Sequence, residues 1–225
     1  TYGVESFNRR NVDAVESIVD LDPVAPEEPT TQQSLDDALL DELGAFCSVT
    51  WGWGPTTWQG GGRLSYTRQG NGDADKVNES TWAGFVGLTW PVGKNVELRG
   101  NLDSGLRFPS LSELFYTGTT GRGQVIGNPL LVSERSLNSE VSVRWLGRRF
   151  LANGVLFRTA IADYIERVEI APDLLTWVNL TSGTIRGAEL STVFVLNDHV
   201  QLFGSGHLID GRPASDPTTT GSPTG

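Results

Sequence analysis

The chain has 225 residues, 38% of them hydrophobic, with 27 glycines, 7 Trp, 4 Tyr, 9 Phe and a formal net charge of −10. No apolar run approaches the ~20 residues a membrane-spanning helix needs. The single cysteine, Cys47, excludes an intrachain disulfide and any multi-cysteine metal site.

Residues 1–42 carry eleven acidic residues against Arg9 and Arg10, a net of −9, so the remainder is nearly neutral at −1. That local acidity argues against nucleic acid as a partner. "DLDPVAPEEPTT" is extended, proline-rich and acidic, and the segment 1–43 reads as a loop or linker. Within it, Ser34 to Leu43 has the form of a short helix, with Ser34 as cap and Asp36 and Asp37 in the first turn. No basic-then-apolar leader opens the chain, and its first residue is Thr1.

From Gly44 the pattern changes to period two, and 44–215 is expected to be built of antiparallel strands, with 216–225 as a loop end. In "VELRGNLDSGLRF", Val96, Leu98, Gly100, Leu102, Ser104 and Leu106 fall on one face. Glu97, Arg99, Asn101, Asp103 and Arg107 fall on the other. "LNSEVSVRW" repeats this, with Val141, Val143 and Trp145 opposite Asn138, Glu140 and Arg144. Noisier runs follow, and roughly eight strands are expected in all. "AFCSVTW" alternates too, which predicts a packed, inert thiol at Cys47.

Connections between runs are alternately short ("WGPTT", "PVGKN", "LGRR", "LNDH") and long or polar, above all at 107–136. Short turns at one end and long loops at the other are the asymmetry of outer-membrane barrels. Trp51, Trp53, Trp58, Trp82, Trp90, Trp145, Phe150 and Trp177 lie near run ends, where an interfacial girdle places amphipathic rings. The fold class expected is therefore all-β: an antiparallel, up-and-down transmembrane β-barrel, partial in this chain.

A search for catalytic chemistry is negative. His199 and His207 have no cysteine or paired acid at ligand spacing, and "FGSGHL" lacks the nucleophile-elbow spacing. "GRGQVIG" is one residue too long for a dinucleotide fingerprint. "NGDADK" spaces Asn71, Asp73 and Asp75 like the start of a calcium loop, but Lys76 and Trp82 stand where Gly and Glu are required. No catalytic group, metal site or cofactor is expected. The acceptor patterns at Asn78 and Asn179 carry no meaning in a bacterial outer membrane.

"NLDSGLRFPSLSELFY" followed by "GNPLLVSERSLNSEVSVRW" resembles the barrel of TonB-dependent outer-membrane receptors, through Arg107, Pro109, Ser110, Glu113, Leu114 and Tyr116, then Gly127, Asn128, Pro129, Glu134, Arg135, Ser136 and Glu140. "RTAIADYIERVEI" and "WVNLTSGTIRGAEL" continue it in order, so the resemblance spans about residues 81–215. It implies import of a scarce solute such as an iron-siderophore complex across the outer membrane of a Gram-negative bacterium. It also implies partners: outer-membrane lipid, the receptor's own plug domain and a TonB-type energy-coupling protein, the last two through parts outside this chain.

On that reading Arg107, Glu113, Tyr116, Arg122, Asn128, Glu134 and Arg135 belong to the extracellular mouth. Glu97, Arg99, Asn101, Asp103, Asn138, Glu140 and Arg144 face the lumen. The plug and coupling box of the family are not visible, and the end "TTTGSPTG" lacks a closing aromatic strand, so an internal segment that does not fold alone is expected. Two alternatives stay open at this level: a small self-contained outer-membrane barrel, as an adhesin or stabiliser, and a soluble all-β binding domain.

Overall fold

Long stretches of alternating side chains produce strands and almost nothing else. The computed structural model describes residues 1–18, 30–72 and 76–213. In chain order the strands are β1 (Tyr2–Ile18), β2 (Thr30–Trp53), β3 (Thr56–Gly70), β4 (Val77–Val92) and β5 (Val96–Arg107). A short helix α1 (Leu111–Phe115) and the small strands β6 (Thr117–Thr120) and β7 (Gly123–Ile126) follow. The wall then resumes with β8 (Glu134–Leu146), β9 (Phe150–Ala171), β10 (Leu174–Asn197) and β11 (Val200–Pro213).

Together they form one 11-stranded sheet, more than the eight expected. The three added strands are β1, β6 and β7, and β2, expected only from residue 44, extends back to Thr30. Each long strand pairs antiparallel with the next, and β5 joins β8 directly, so residues 108–133 are an excursion from the wall. Through that excursion β7 returns to pair in parallel with Leu174–Thr176 of β10.

The reading of 1–43 as loop and helix is corrected here. Tyr2–Ile18 and the start of β2 form a long hairpin, with Tyr2 opposite Cys47 and Ile18 opposite Thr30. Ser34–Leu43 is strand, because its backbone partners lie far back in the chain on β1. Register shifts between Arg9 and Val15, with positive φ at Asn11 and Asp37, bend the hairpin and let Leu35 and Ala38 turn inward together. No boundary falls at residue 44, since β2 runs through it. Residues 19–29, Asp73, Asp75 and 216–225, which include most of the proline-rich stretch, the calcium-like spacing and the expected loop end, lie outside the described residues.

Register alternates two faces across the wall. One row runs Leu88, Gly100, Val141, Leu156, Ala188, Leu208; the next runs Gly87, Asn101, Glu140, Phe157, Gly187, Ile209. The first face is apolar and open, with Leu64 68%, Leu156 64% and Leu208 77% exposed. Cys47 lies on it and is exposed, which corrects its reading as a packed thiol.

The second face is polar through β5 and β8 and mixed over β9 to β11, where Val155, Ile185, Phe203 and Ile209 share it, and glycines there sit under cross-strand rings: Gly3 under Phe46, Gly61 under Phe85, Gly187 under Phe157. An added Cβ at Gly187 would stand 2.6 Å from the Phe157 ring. The rings therefore lie along the wall instead of projecting from it.

Tight turns close one end of the sheet, with Gly54 (φ 58) between β2 and β3 and Gly93 (φ 75) between β4 and β5. On β4, outward Trp90 and Trp82 bracket Leu88, Val86 and Gly84. Eight residues of a strand tilted by about 40° rise about 20 Å, close to the ~25 Å apolar band of outer-membrane barrels. Trp51 and Trp58 stack at 6.1 Å near the tight-turn end.

Among the described residues, a single layer with an apolar outer face and no mid-wall core disfavours a soluble all-β domain. Its described strands, eleven in an open sheet, disfavour a self-contained eight-stranded barrel.

Candidate functional site

The excursion 108–133 folds back over the polar face at the end opposite the tight turns. Its sequence explains the path. Pro109 cannot donate to a ladder, so β5 stops. Ser110 then caps α1: its hydroxyl accepts from the Glu113 amide, and the Glu113 carboxylate accepts from the Ser110 amide.

Capping places Leu114, fully buried, against Leu131 and Ile165, and Leu111 against Leu35 and Ala38. The loop is thus wedged between the β1–β2 hairpin and β9. Gln69 Nε2 donates to the Pro109 carbonyl at 2.8 Å and the Thr119 amide to Glu16 at 2.7 Å, while Ser133 Oγ donates to Glu79 at 2.6 Å.

Arg107 ties the base together. Its Nη2 and Nε meet both oxygens of Glu134 at 2.7 and 2.8 Å, and its Nη1 reaches Glu113 at 2.9 Å. Glu134 also accepts the Ile165 amide at 2.8 Å. The hydrogen bonds from Arg107 are the main reason the Glu134 carboxyl is held below its ordinary value of 4.5, and those to Glu134 raise Arg107 further above its own. Both charges are fixed at neutral pH and shared, so this cluster is an anchor and not an open ligand site.

Two asparagines stitch the return path. Asn128 donates to the Trp177 carbonyl at 2.8 Å and accepts from the Leu130 amide at 3.0 Å. Asn179 brackets Val132, donating to its carbonyl at 2.9 Å and accepting from its amide at 3.0 Å, and donates to the Asp163 carbonyl at 2.6 Å.

Of the residues expected at the mouth, Arg107, Glu113, Asn128 and Glu134 come together as this scaffold. Tyr116 ends α1, accepts from the Gly127 amide at 2.7 Å and is half-buried beside Leu111. Arg122 stands exposed at the tip of the β6–β7 hairpin, apart from the others and without an ion pair among the described residues. Arg135 is corrected: next to Glu134 in a strand, it points to the opposite, apolar face, in register with Ala162.

The seven residues expected along the lumen do share one face. Glu97 lies opposite Arg144, Asn101 opposite Glu140 and Asp103 opposite Asn138, with Arg99 between them opposite Ser142. Arg99 is satisfied by Glu97 at 2.7 Å and Asp103 by Asn138 at 2.7 Å. Glu140 and Arg144 make no ion pair among the described residues.

A concavity of about 650 Å³ opens over this face, lined by Asn101, Asp103, Asn138, Glu140, Phe157 and Glu189, among others. Glu189 and, opposite it on β11, His207 extend the polar face beyond the expected set. Sequence reasoning missed them because glycines and Ser/Thr blur the alternation between residues 175 and 210.

With this geometry in view, similarity is informative. A family model described as the TonB dependent receptor-like β-barrel matches residues 1–224. The iron-regulated outer membrane virulence protein of Vibrio cholerae serotype O1 is 25% identical over 192 residues, covering 77% of this chain and 29% of that protein. The copper transporter OprC superposes with a TM-score of 0.75 at 21% identity, over 95% of this chain and 35% of its own. The ferric yersiniabactin uptake receptor FyuA of Yersinia pestis gives 0.68 at 17% identity, over 96% and 32%. The chain thus spans about a third of the length of these relatives. Sequence match and wall architecture agree: the chain belongs to the TonB-dependent receptor-like β-barrel family, as part of the wall of an outer-membrane barrel.

Proposed function

We propose that the receptor carrying this chain imports a chelated metal, with iron as the first candidate, using energy delivered by a TonB-type partner. The observation that carries the reading is the polar inner stretch of β5 and β8 beneath a mouth loop that is anchored inward. A chelate captured above would meet that loop first. Glu140, Arg144 and Glu189, unpaired among the described residues, are then available to a plug domain or to the passing solute. The names of the relatives support a metal cargo, since they include an iron-regulated protein, a copper transporter and a ferric yersiniabactin receptor.

The test is growth rescue. The full receptor is expressed in an iron-starved host that lacks its own ferric-chelate receptors, and a panel of ferric and cupric chelates is supplied. Rescue by at least one chelate, abolished when the coupling protein is deleted, is the expected result. Failure of every chelate both to rescue growth and to bind the purified receptor would overturn the proposal.

A further inference from the structure

The inner face has a dry end and a wet end. On β3, Thr67 is 1% and Gln69 2% exposed, although both project from the inner side of the wall. Asn101 of β5 and Glu189 of β10, on the same side but nearer the tight turns, are exposed. A polar side chain lining a water-filled lumen keeps its water. What removes it at the mouth is the excursion 108–133, with the Pro109 carbonyl on Gln69 and Ser133 on Glu79.

The excursion is fastened on both sides. Leu174–Thr176 of β10 pair with β7, and Asn128 donates to the Trp177 carbonyl. On the far side the Thr119 amide of β6 donates to Glu16 of β1, and Leu111 packs on Leu35 and Ala38 of β2. There β6 approaches so closely that a Cβ at Gly118 would stand 2.6 Å from Ser34 Oγ and 2.8 Å from the Glu16 carboxylate.

Along the wall, β2 and β10 are six ladder steps apart, about 29 Å at about 4.8 Å a step. Across the mouth, β7 and β6 join them by two ladder steps and one side-chain contact, about half that span. The mouth end of β2 to β10 is thus bent into a ring that closes on β6–β7, with Leu111 and Leu114 of α1 wedged inside it. Segments that open in a working cycle are drawn from the least packed parts of a fold. This ring holds the buried hydrophobic side chains found among the described residues. Asp103, on the lining of the concavity of about 650 Å³, is four residues below Arg107, so the concavity starts about 10 Å beneath the excursion.

We propose that residues 108–133 are a fixed roof over this sector of the mouth and that, granted the import reading above, solute enters beyond the β2–β10 sector without the roof opening. Glu140 and Glu189, beneath the roof, are then left to the plug domain and not to the solute.

The experiment uses the full receptor with Cys47→Ser and two cysteine pairs made separately. Ser34→Cys with Gly118→Cys fixes β6 to β2, and Val125→Cys with Leu175→Cys fixes β7 to β10. Cells of the receptor-deficient host are given radiolabelled ferric citrate, a ferric catecholate and a ferric hydroxamate in turn, before and after oxidation, with Cys47→Ser alone as the baseline. Both disulfides should form, and uptake of whichever chelate the wild type imports should stay within about twofold, as for a segment that does not gate. Uptake lost on oxidation and restored by reduction, or failure of both pairs to form, would overturn the proposal.

A second readout needs no transport. In the solubilised receptor, Thr67→Cys should react with a charged methanethiosulfonate about a hundredfold or more slower than Arg122→Cys at the exposed hairpin tip. Equal rates would mean that the mouth is open there and would overturn the roof. A wild-type receptor that imports none of the three chelates, with Thr67→Cys still protected, would count against the import reading and leave the roof standing.

Discussion

Arg107 and Glu134, 27 residues apart in sequence, are directly paired in register and joined by two parallel hydrogen bonds, so one ion pair closes both ends of the mouth loop. Replacing Arg107 by Lys keeps the charge but removes the fork that holds Glu134 while reaching Glu113. Amide exchange across 108–133 should rise by about an order of magnitude, as expected for loss of a charged contact. The thermal transition of the wall should not move. If exchange stays at the wild-type rate, the cluster does not anchor the loop.

The same pair sets a pH response. Glu134 titrates below its ordinary 4.5 in the folded protein, so its contribution is fully present above 4.5 and is lost as pH falls through the lowered folded value. Protease susceptibility of 108–133 should therefore be flat from neutral pH to about 5 and increase only in stronger acid. An increase centred between pH 6 and 7 would assign the opening to some other group.

Leu114 is the fully buried tooth of α1. Leu114→Ala should cost about 2–4 kcal/mol of loop docking, the usual range for such a truncation in a packed site. Local opening measured by hydrogen exchange at 110–131 reads that cost. Asn179→Ala should free the Val132 turn through the loss of three hydrogen bonds, at about 1–3 kcal/mol. Equal protection in both variants would mean that the loop is held elsewhere.

Val143 and Arg144 are neighbours on opposite faces of β8. With Cys47 replaced by Ser, a polarity-sensitive dye at residue 143 should report lipid and at residue 144 water, in reconstituted full receptor. Water at both positions would contradict the two-faced wall.

Much of this was readable in the chain. Val96–Arg107 and Leu137–Trp145 alternate cleanly because one side meets lipid and the other water, so period two survives in the sequence. The same contrast could have located α1, since Ser110–Glu113 is a capping box. Ser34–Leu43 misled because Ser34 followed by Asp36 and Asp37 imitates a helix start, whereas the strand that claims the segment lies on residues 2–18. Arg135 misled as part of a motif read as a block, although adjacent strand residues cannot share a face.

Among the described residues, the buried hydrophobic side chains are Leu35, Ala38, Leu111, Leu114, Val125, Leu131 and Ile165, all at the mouth. Among the described residues the wall itself has no buried hydrophobic interior. In water its long apolar-faced strands are templates for pairing with other copies. What completes the fold of the described wall is therefore cover for its outer face, not a hydrophobic core.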